Sequence, residues 1–287
     1  MRPLPTRAGN LDFSQGPLLM GILNVTPDSF SDGGKFLSPE MAIAQAETMV
    51  EEGASLLDIG GESTRPGATP VSVEEEIARV IPLVELLAQR LPRIPLSIDT
   101  TKAEVARQAL EEGASLINDI SALRDDSEMV KVLKEHQVSV ILMHRQGTPQ
   151  TMQANPNYRD VTQEVFTFLQ ERLEWALGQG LVLPNILLDP GIGFGKTTEH
   201  NIDLLKNLKV FHALNCPLVL GTSRKSFLGK LLSSETDPVP VSERNEASLA
   251  THLWAADQGV QILRVHDVGH TARGLKIWRK LKESDVT

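Results

Sequence analysis

Asp99 in "PLSID", Asn118 in "LINDI", Asp189 in "ILLDP" and Arg264 with His266 in "QILRVH" each stand near the end of a short apolar run. Asn24 in "LLMGILNV", Asp58 in "LLDIGG", Asp119 beside Asn118, His144 in "VSVILMH" and Ser223 in "PLVLGTS" are placed the same way. Polar groups in apolar segments are costly to bury unless hydrogen-bonded, so their recurrence at run after run points to a ligand pocket. The residue types divide that ligand in two. Two carboxylates and an amide (Asp99, Asp189 and Asn118) suit a nitrogen-rich heterocycle that offers several N–H donors. Cations and small donors (Ser63, Thr64, Arg65, Lys225, Arg264 and His266) suit a phosphate or diphosphate. Arg264 and His266 are two apart, so both side chains leave an extended strand on one side. Taken alone, His266 reads equally well as a satisfied core histidine.

The runs that carry these residues are eight: 18–25, 56–61, 95–99, 116–120, 138–144, 186–190, 217–223 and 261–266. Each is short and nearly continuously apolar, as parallel strands covered on both faces are. Helical periodicity fills the intervals. "SVEEEIARVIPLVELLAQRL" begins with the Ser72/Glu75 spacing of a capping box and carries Ile77, Val80, Val84 and Leu87 on one stripe. "TKAEVARQALEEG" shows the same cap spacing at Thr101 and Glu104, and Ser38 with Pro39 opens an earlier helix. "DVTQEVFTFLQERLEWALGQG" repeats the helical pattern. The string "EEGASL" occurs at 51–56 and again at 111–116, sixty positions on (111 − 51). In both copies a glycine, Gly53 or Gly113, fits a left-handed helix C-cap before a strand, and Gly259 offers a third such turn.

Eight strands alternating with helices give an α/β fold, a single (β/α)8 TIM barrel over residues 1–287 with its core at about 15–285. An open doubly wound sheet would place G-x-G-x-x-G after its first strand, whereas "TPDSFSDGGKF" stands there. The longer connections, 26–37, 62–71, 145–160 and 232–243, follow strands or their short helices, on the face where barrels carry their active sites.

The bulk composition narrows the function further. The chain has 287 residues, 41% hydrophobic and 23% charged, with a formal net charge of -9. That excess of acid argues against a general nucleic-acid or anionic-membrane binder. With neither an apolar leader segment nor a run of membrane-spanning length, the expectation is a cytoplasmic protein. The one cysteine, Cys216, excludes an internal disulfide and a cysteine-cluster metal site. "DPGIGFGKT" misses the phosphate-binding pattern G-x-x-x-x-G-K-[ST], with Pro190 where glycine is needed, and misses G-x-G-x-x-G with Lys196 in the last place. A Schiff-base lysine at Lys225 is a rival reading, opposed by the donors and second cation of "TSRKS" around it.

"MGILNVTPDSFSDGG" (20–34) and "LLDIGGESTRPGA" (56–68) resemble the two signature segments of the dihydropteroate synthase family. The likeness continues through "LSIDTTK", "INDI", "LMH", "LLDPGIGFGK", "GTSRKSF" and "ILRVHDV" in family order. The resemblance implies condensation of 6-hydroxymethyl-7,8-dihydropterin diphosphate with p-aminobenzoate, giving dihydropteroate and pyrophosphate in folate biosynthesis. By the same token Asp99, Asn118, Asp189 and Lys225 would hold the pterin, with Asp58 and Met143 beside them. Asn24 would ligate a Mg2+ that neutralises the diphosphate. Ser63, Thr64, Arg65, Arg264 and His266 would line the anion site, and Phe30, Pro66, Phe194, Ser223 and Lys225 the p-aminobenzoate pocket. Asp99, Asp189, Lys225, Arg264 and His266 would carry catalysis. A homodimer packed through helices away from the site is also implied. Two departures stand out, Arg145 where the family commonly has methionine and Ala247 where glycine is common. A methyl-transferring relative that shares the pterin-binding barrel, and a pterin-binding protein without activity, are the competing readings.

Overall fold

The computed structural model describes residues 2–25, 39–65 and 67–283. Eight parallel strands form its sheet: β1 (Leu18–Asn24), β2 (Leu56–Gly60), β3 (Leu96–Asp99), β4 (Leu116–Asp119), β5 (Ser139–Met143), β6 (Ile186–Asp189), β7 (Val219–Leu220) and β8 (Ile262–Val265). Their order is β6-β5-β4-β3-β2-β1-β8-β7, so first and last strands are neighbours. A parallel bridge, Leu188 to Leu218, joins β6 to the start of β7 and closes the barrel. The expected strands are all present, and the seventh is shorter than its apolar run because pairing there reduces to two residues and that bridge.

Nine helices follow among the described residues: α1 (Pro39–Glu51), α2 (Val73–Arg90), α3 (Ala103–Glu111), α4 (Met129–His136), α5 (Val161–Gly178), α6 (Thr198–Lys206), α7 (Ser226–Leu232), α8 (Asn245–Asp257) and α9 (Val268–Lys282). The stripe on α2 behaves as its spacing predicts, with Val80, Val84 and Leu87 buried against the strands. Ser72 caps that helix by accepting from the Glu75 amide. The start of α3 corrects the sequence expectation. Lys102, not Thr101, is the N-cap residue and gives no side-chain cap. Instead Asp126, from the β4–α4 connection, accepts from the Ala103 amide at 2.8 Å, and a tertiary contact replaces the local one. Gly53, Gly113 and Gly259 take φ of 110°, 111° and 84°, the left-handed geometry that the repeated junctions require.

Two apolar layers result. The larger packs the outer faces of the strands against the helix ring, through residues such as Leu57, Ile98, Val140 and Leu263. The smaller fills the bottom of the barrel with Met20, Leu56, Leu116, Ile141, Leu187, Val219 and Ile262. A short antiparallel pairing of Leu4 with Leu11 seals that end, and both side chains join this inner layer. Two residues further along several of the same strands, the inward positions turn polar.

Candidate active site

The period of two dictates what faces inward at the top. In β2 the inward residues are Leu56 and then Asp58; in β4 they are Leu116 and then Asn118; in β8 they are Ile262 and then Arg264. Parallel register sets Asp58 beside Ser97, Asp99 beside Asn118, and Met143 beside Asp189, each pair sharing a face.

Asp58 is the hub. It is fully buried. Its Oδ1 accepts from Ser97 Oγ at 2.5 Å, and its Oδ2 accepts from Asn118 Nδ2 at 3.0 Å and from Arg264 Nε at 2.5 Å. Arg264 reaches on and donates through Nη2 to Asp99 Oδ2 at 2.8 Å. The second Asp99 oxygen is buried and unpartnered. Burial pushes the Asp99 carboxyl up to about 7, against the pull of Arg264 and with the repulsion of Asp58. Asp189 is buried across the mouth and accepts from the Gly191 amide at 2.7 Å. Burial raises it too, and Lys225 opposes the rise. Lys225 is itself lowered by burial to about 8. Three carboxylates (Asp58, Asp99, Asp189) thus face two cations (Arg264, Lys225), a balance that attracts N–H donors and developing positive charge.

Lys225 sits at the N-terminus of α7 and donates to the Ile192 carbonyl, with its ammonium 4.4 Å from the Phe194 ring centre. The preceding residue, Arg224, has φ +58°, an uncommon conformation for a residue with a side chain. It is held there by Ser248 Oγ, which accepts from its amide at 2.9 Å, and by Arg244, which donates to its carbonyl at 3.1 Å. Those partners belong to the segment "ERNEASLA", so α8 fixes the turn that presents Ser223 and Lys225. Ala247 is half-buried and packs on the main core.

His266 lies beside Ser223, whose Oγ stands 3.0 Å from Nδ1 and accepts from the His266 amide at 3.2 Å. Burial, then Arg264, Arg224, Arg65 and Lys225, push the imidazole down to about 3. It is neutral at pH 7 and is ringed by cations. Ser63 and Thr64 are half-buried and Arg65 exposed on the β2–α2 connection; Ser63, Thr64 and Asp99 line one cleft with Arg145. Gly67 donates to the Pro149 carbonyl at 3.1 Å, so that connection leans on the one after β5. Asn24 ends β1, with its Oδ1 3.4 Å from where a Gly60 Cβ would stand. Phe30 and Pro66 lie outside the described residues, as does the 26–37 connection.

Two residues at strand ends turn away from the mouth. Asp119 accepts from the Ser121 and Leu123 amides and builds the β4–α4 turn. His144 pairs with Lys196, with Nδ1 and Nζ 2.8 Å apart. Arg145, the departure noted in sequence, ion-pairs with Asp125. Sequence reasoning missed Ser97, although it lies two residues before Asp99 and so shares its inward face. It also missed Lys102, which pairs with Glu62 and the buried Glu76 and pins the base of the β2–α2 connection. No local pattern announces that contact.

The glycines of "GIGFG" now have reasons. Gly191, Gly193 and Gly195 have φ of 69°, 82° and 68°. A side chain on Gly191 would run into the His144 carbonyl, and one on Gly193 would stand 2.9 Å from Lys225 Cδ. They let the β6–α6 connection press against its neighbours.

Residues 20–266 match the family described as pterin binding enzyme. The dihydropteroate synthase of Synechocystis sp. is 48% identical over 281 residues, 96% of each chain. A Yersinia pestis dihydropteroate synthase in a sulfonamide drug complex superposes with a TM-score of 0.92 at 44% identity, covering 99% of this chain and 100% of that one. The Xanthomonas albilineans enzyme in complex with 7,8-dihydropteroate gives 0.87 at 42% identity, covering 98% and 99%.

Proposed function

The chain belongs to the pterin-binding enzyme family, and from that premise we infer that its site works as a dihydropteroate synthase. The reaction joins 6-hydroxymethyl-7,8-dihydropterin diphosphate to p-aminobenzoate and releases pyrophosphate. The observation that carries this reading is the buried mouth where Asp58, Asp99, Asn118 and Asp189 surround Arg264 and Lys225. The free oxygen of Asp99 and the carboxylate of Asp189 accept the N–H groups of a pterin, and Lys225 donates to its carbonyl side.

The methylene carbon loses its bond to the diphosphate oxygen, which leaves with the electron pair, and the arylamine nitrogen supplies the new bond and then sheds a proton. Positive charge grows on the pterin in between, and the surplus of buried carboxylates stabilises it. At the rim the neutral His266 with Ser223, together with Arg65, Ser63 and Thr64, receives the diphosphate. Phe194 and Lys225 form the arylamine side, with Ser223 close by and with Pro66 and Phe30 assigned to it by sequence alone.

A Mg2+ ion fits this donor set. Asn24 offers one amide oxygen near the glycine at Gly60. Mg2+ favours such sites, taking few protein ligands and completing its shell with waters and substrate phosphates. When bound, it would neutralise charge on the leaving group.

A homodimer is the assembly this reading carries. It is supported by apolar side chains left exposed on adjacent helices, Leu231 and Leu232 on α7, Trp254 on α8, and Ile277 and Leu281 on α9. Light scattering of Ile277→Glu beside the parent chain tests it, with a monomeric variant expected. Among the described residues no helix is long and apolar enough to cross a membrane. The decisive experiment is pyrophosphate release with the pterin diphosphate and Mg2+, with and without p-aminobenzoate. Release that requires p-aminobenzoate and yields dihydropteroate is expected. Tight pterin binding with no release would instead favour methyl transfer or binding alone.

A further inference from the structure

Lys196 follows the third glycine of "GIGFG", and its side chain is 3% exposed. Its Nζ donates to the Gly191 carbonyl at 2.8 Å and to the Phe194 carbonyl at 3.1 Å, and it meets His144 Nδ1 at 2.8 Å. These partners are two carbonyls and an imidazole, with no carboxylate among them. Burial, reinforced by nearby Lys225, drives its ammonium well below the ordinary lysine range. A leucine or methionine would fill the same space without that desolvation cost, so what distinguishes lysine here is its hydrogen bonds.

Those bonds converge on one connection. Residues 190–197 contain three left-handed glycines, and a backbone with that freedom needs cross-links to keep a single form. Lys196 ties its first glycine to its phenylalanine and ties both to the tip of β5 through His144. His144 is in turn wedged edge-on against Phe168, with ring centres 4.8 Å apart. Tyr158 adds an outer tie, donating to the Gly195 carbonyl at 2.8 Å. What the connection presents to the mouth is the Ile192 carbonyl, which accepts from Lys225, and the Phe194 ring beneath the Lys225 ammonium.

We propose that Lys196 is a positioning residue for the arylamine side of the site, holding the β6–α6 connection so that Phe194 and the Ile192 carbonyl fix Lys225. The inference rests on the dihydropteroate synthase reading for its kinetic consequence and on the contacts alone for its structural one. The test uses the full chain and Lys196→Met, which keeps the bulk and removes the donors.

Hydrogen exchange of peptides across 190–197 should accelerate about ten-fold in the variant while exchange of the inner strands is unchanged. The KM for p-aminobenzoate should rise about ten-fold, equivalent to about 1.4 kcal/mol, with kcat within about three-fold. In a Phe194→Leu background the same substitution should raise KM far less, because its effect passes through that ring. Unchanged exchange, an unchanged KM, or fully additive effects in the double variant would each overturn the proposal. Loss of folding in Lys196→Met would move the test to His144→Phe, which removes one partner and keeps a ring against Phe168; a smaller shift of the same kind is expected there, and none would overturn it. A parent chain that makes no dihydropteroate would defeat the functional reading instead, leaving the exchange measurement to decide the inference.

Discussion

The two ends of this barrel are built from the same strands and obey opposite rules. At the bottom, Met20, Leu56, Leu116, Leu187, Val219 and Ile262 meet Leu4 and Leu11 in an apolar plug, and the buried Ser139 beside Leu116 donates its hydroxyl to the Pro5 carbonyl at 3.2 Å. One inward step along β2, β4, β6 and β8, the residues are Asp58, Asn118, Asp189 and Arg264. The plug gains free energy from burial, about 25 cal/mol per Å² of apolar surface. The mouth incurs a desolvation cost that its ion pairs and hydrogen bonds offset only when every partner is present. One end therefore supplies stability, and the other holds charge in place for chemistry.

Substitutions at the two ends should separate those roles. The largest effect belongs to the mouth: Lys225→Ala should lower kcat/KM by about 1000-fold and leave the far-UV circular dichroism unchanged. Near-normal turnover in that variant would remove Lys225 from the site. Asp58→Ala should damage both properties, since it strands Arg264 and Asn118 in the interior. We expect a loss of about 3–5 kcal/mol in denaturant unfolding, with catalysis abolished. Leu56→Ala at the plug should cost about 2–5 kcal/mol while kcat/KM stays within about two-fold. A large kinetic defect there would mean that the two ends are not separable.

The smallest effect is in pH dependence. Buried His252, on α8, is pushed down to about 3 by burial and by His270. Its neutral form is favoured by folding, so its contribution is complete above about pH 6.5 and declines as the unfolded chain takes up the proton at lower pH. His252→Leu should accordingly show a shallower fall in stability than the parent between pH 7 and 5. Equal slopes would remove His252 from the acid response.

The barrel was legible because its signals are local. Apolar runs, C-cap glycines at Gly53 and Gly113 and the stripe on α2 are written within a few residues of where they act. The inward placement of Asp58, Asn118, Asp189 and Arg264 was legible for the same reason, through the strand period. The Asp126 cap on α3, the Lys102 pairs with Glu62 and Glu76, and the Lys196 cluster were not. Each joins residues from different β–α units, and a side chain's reach across the barrel leaves no periodic trace. Asp119 and His144 show the converse, since composition grouped them with the site while the direction of each side chain sends it elsewhere.

The two-residue β7 has a further consequence. Its bond to β6 rests on the Leu188–Leu218 bridge and the Leu188 amide's hydrogen bond to Pro217 at 3.0 Å, a far thinner seam than β1 shares with β2. Sub-global opening in native-state exchange should begin there, with the 218–221 amides among the least protected of the barrel strands. Asp189 ends the strand on one side of that seam, and Lys225 follows the strand on the other. In the proposed binding mode a pterin touching both would staple the weakest joint, and substrate saturation should raise the melting temperature by slowing the barrel's unzipping as well as by mass action.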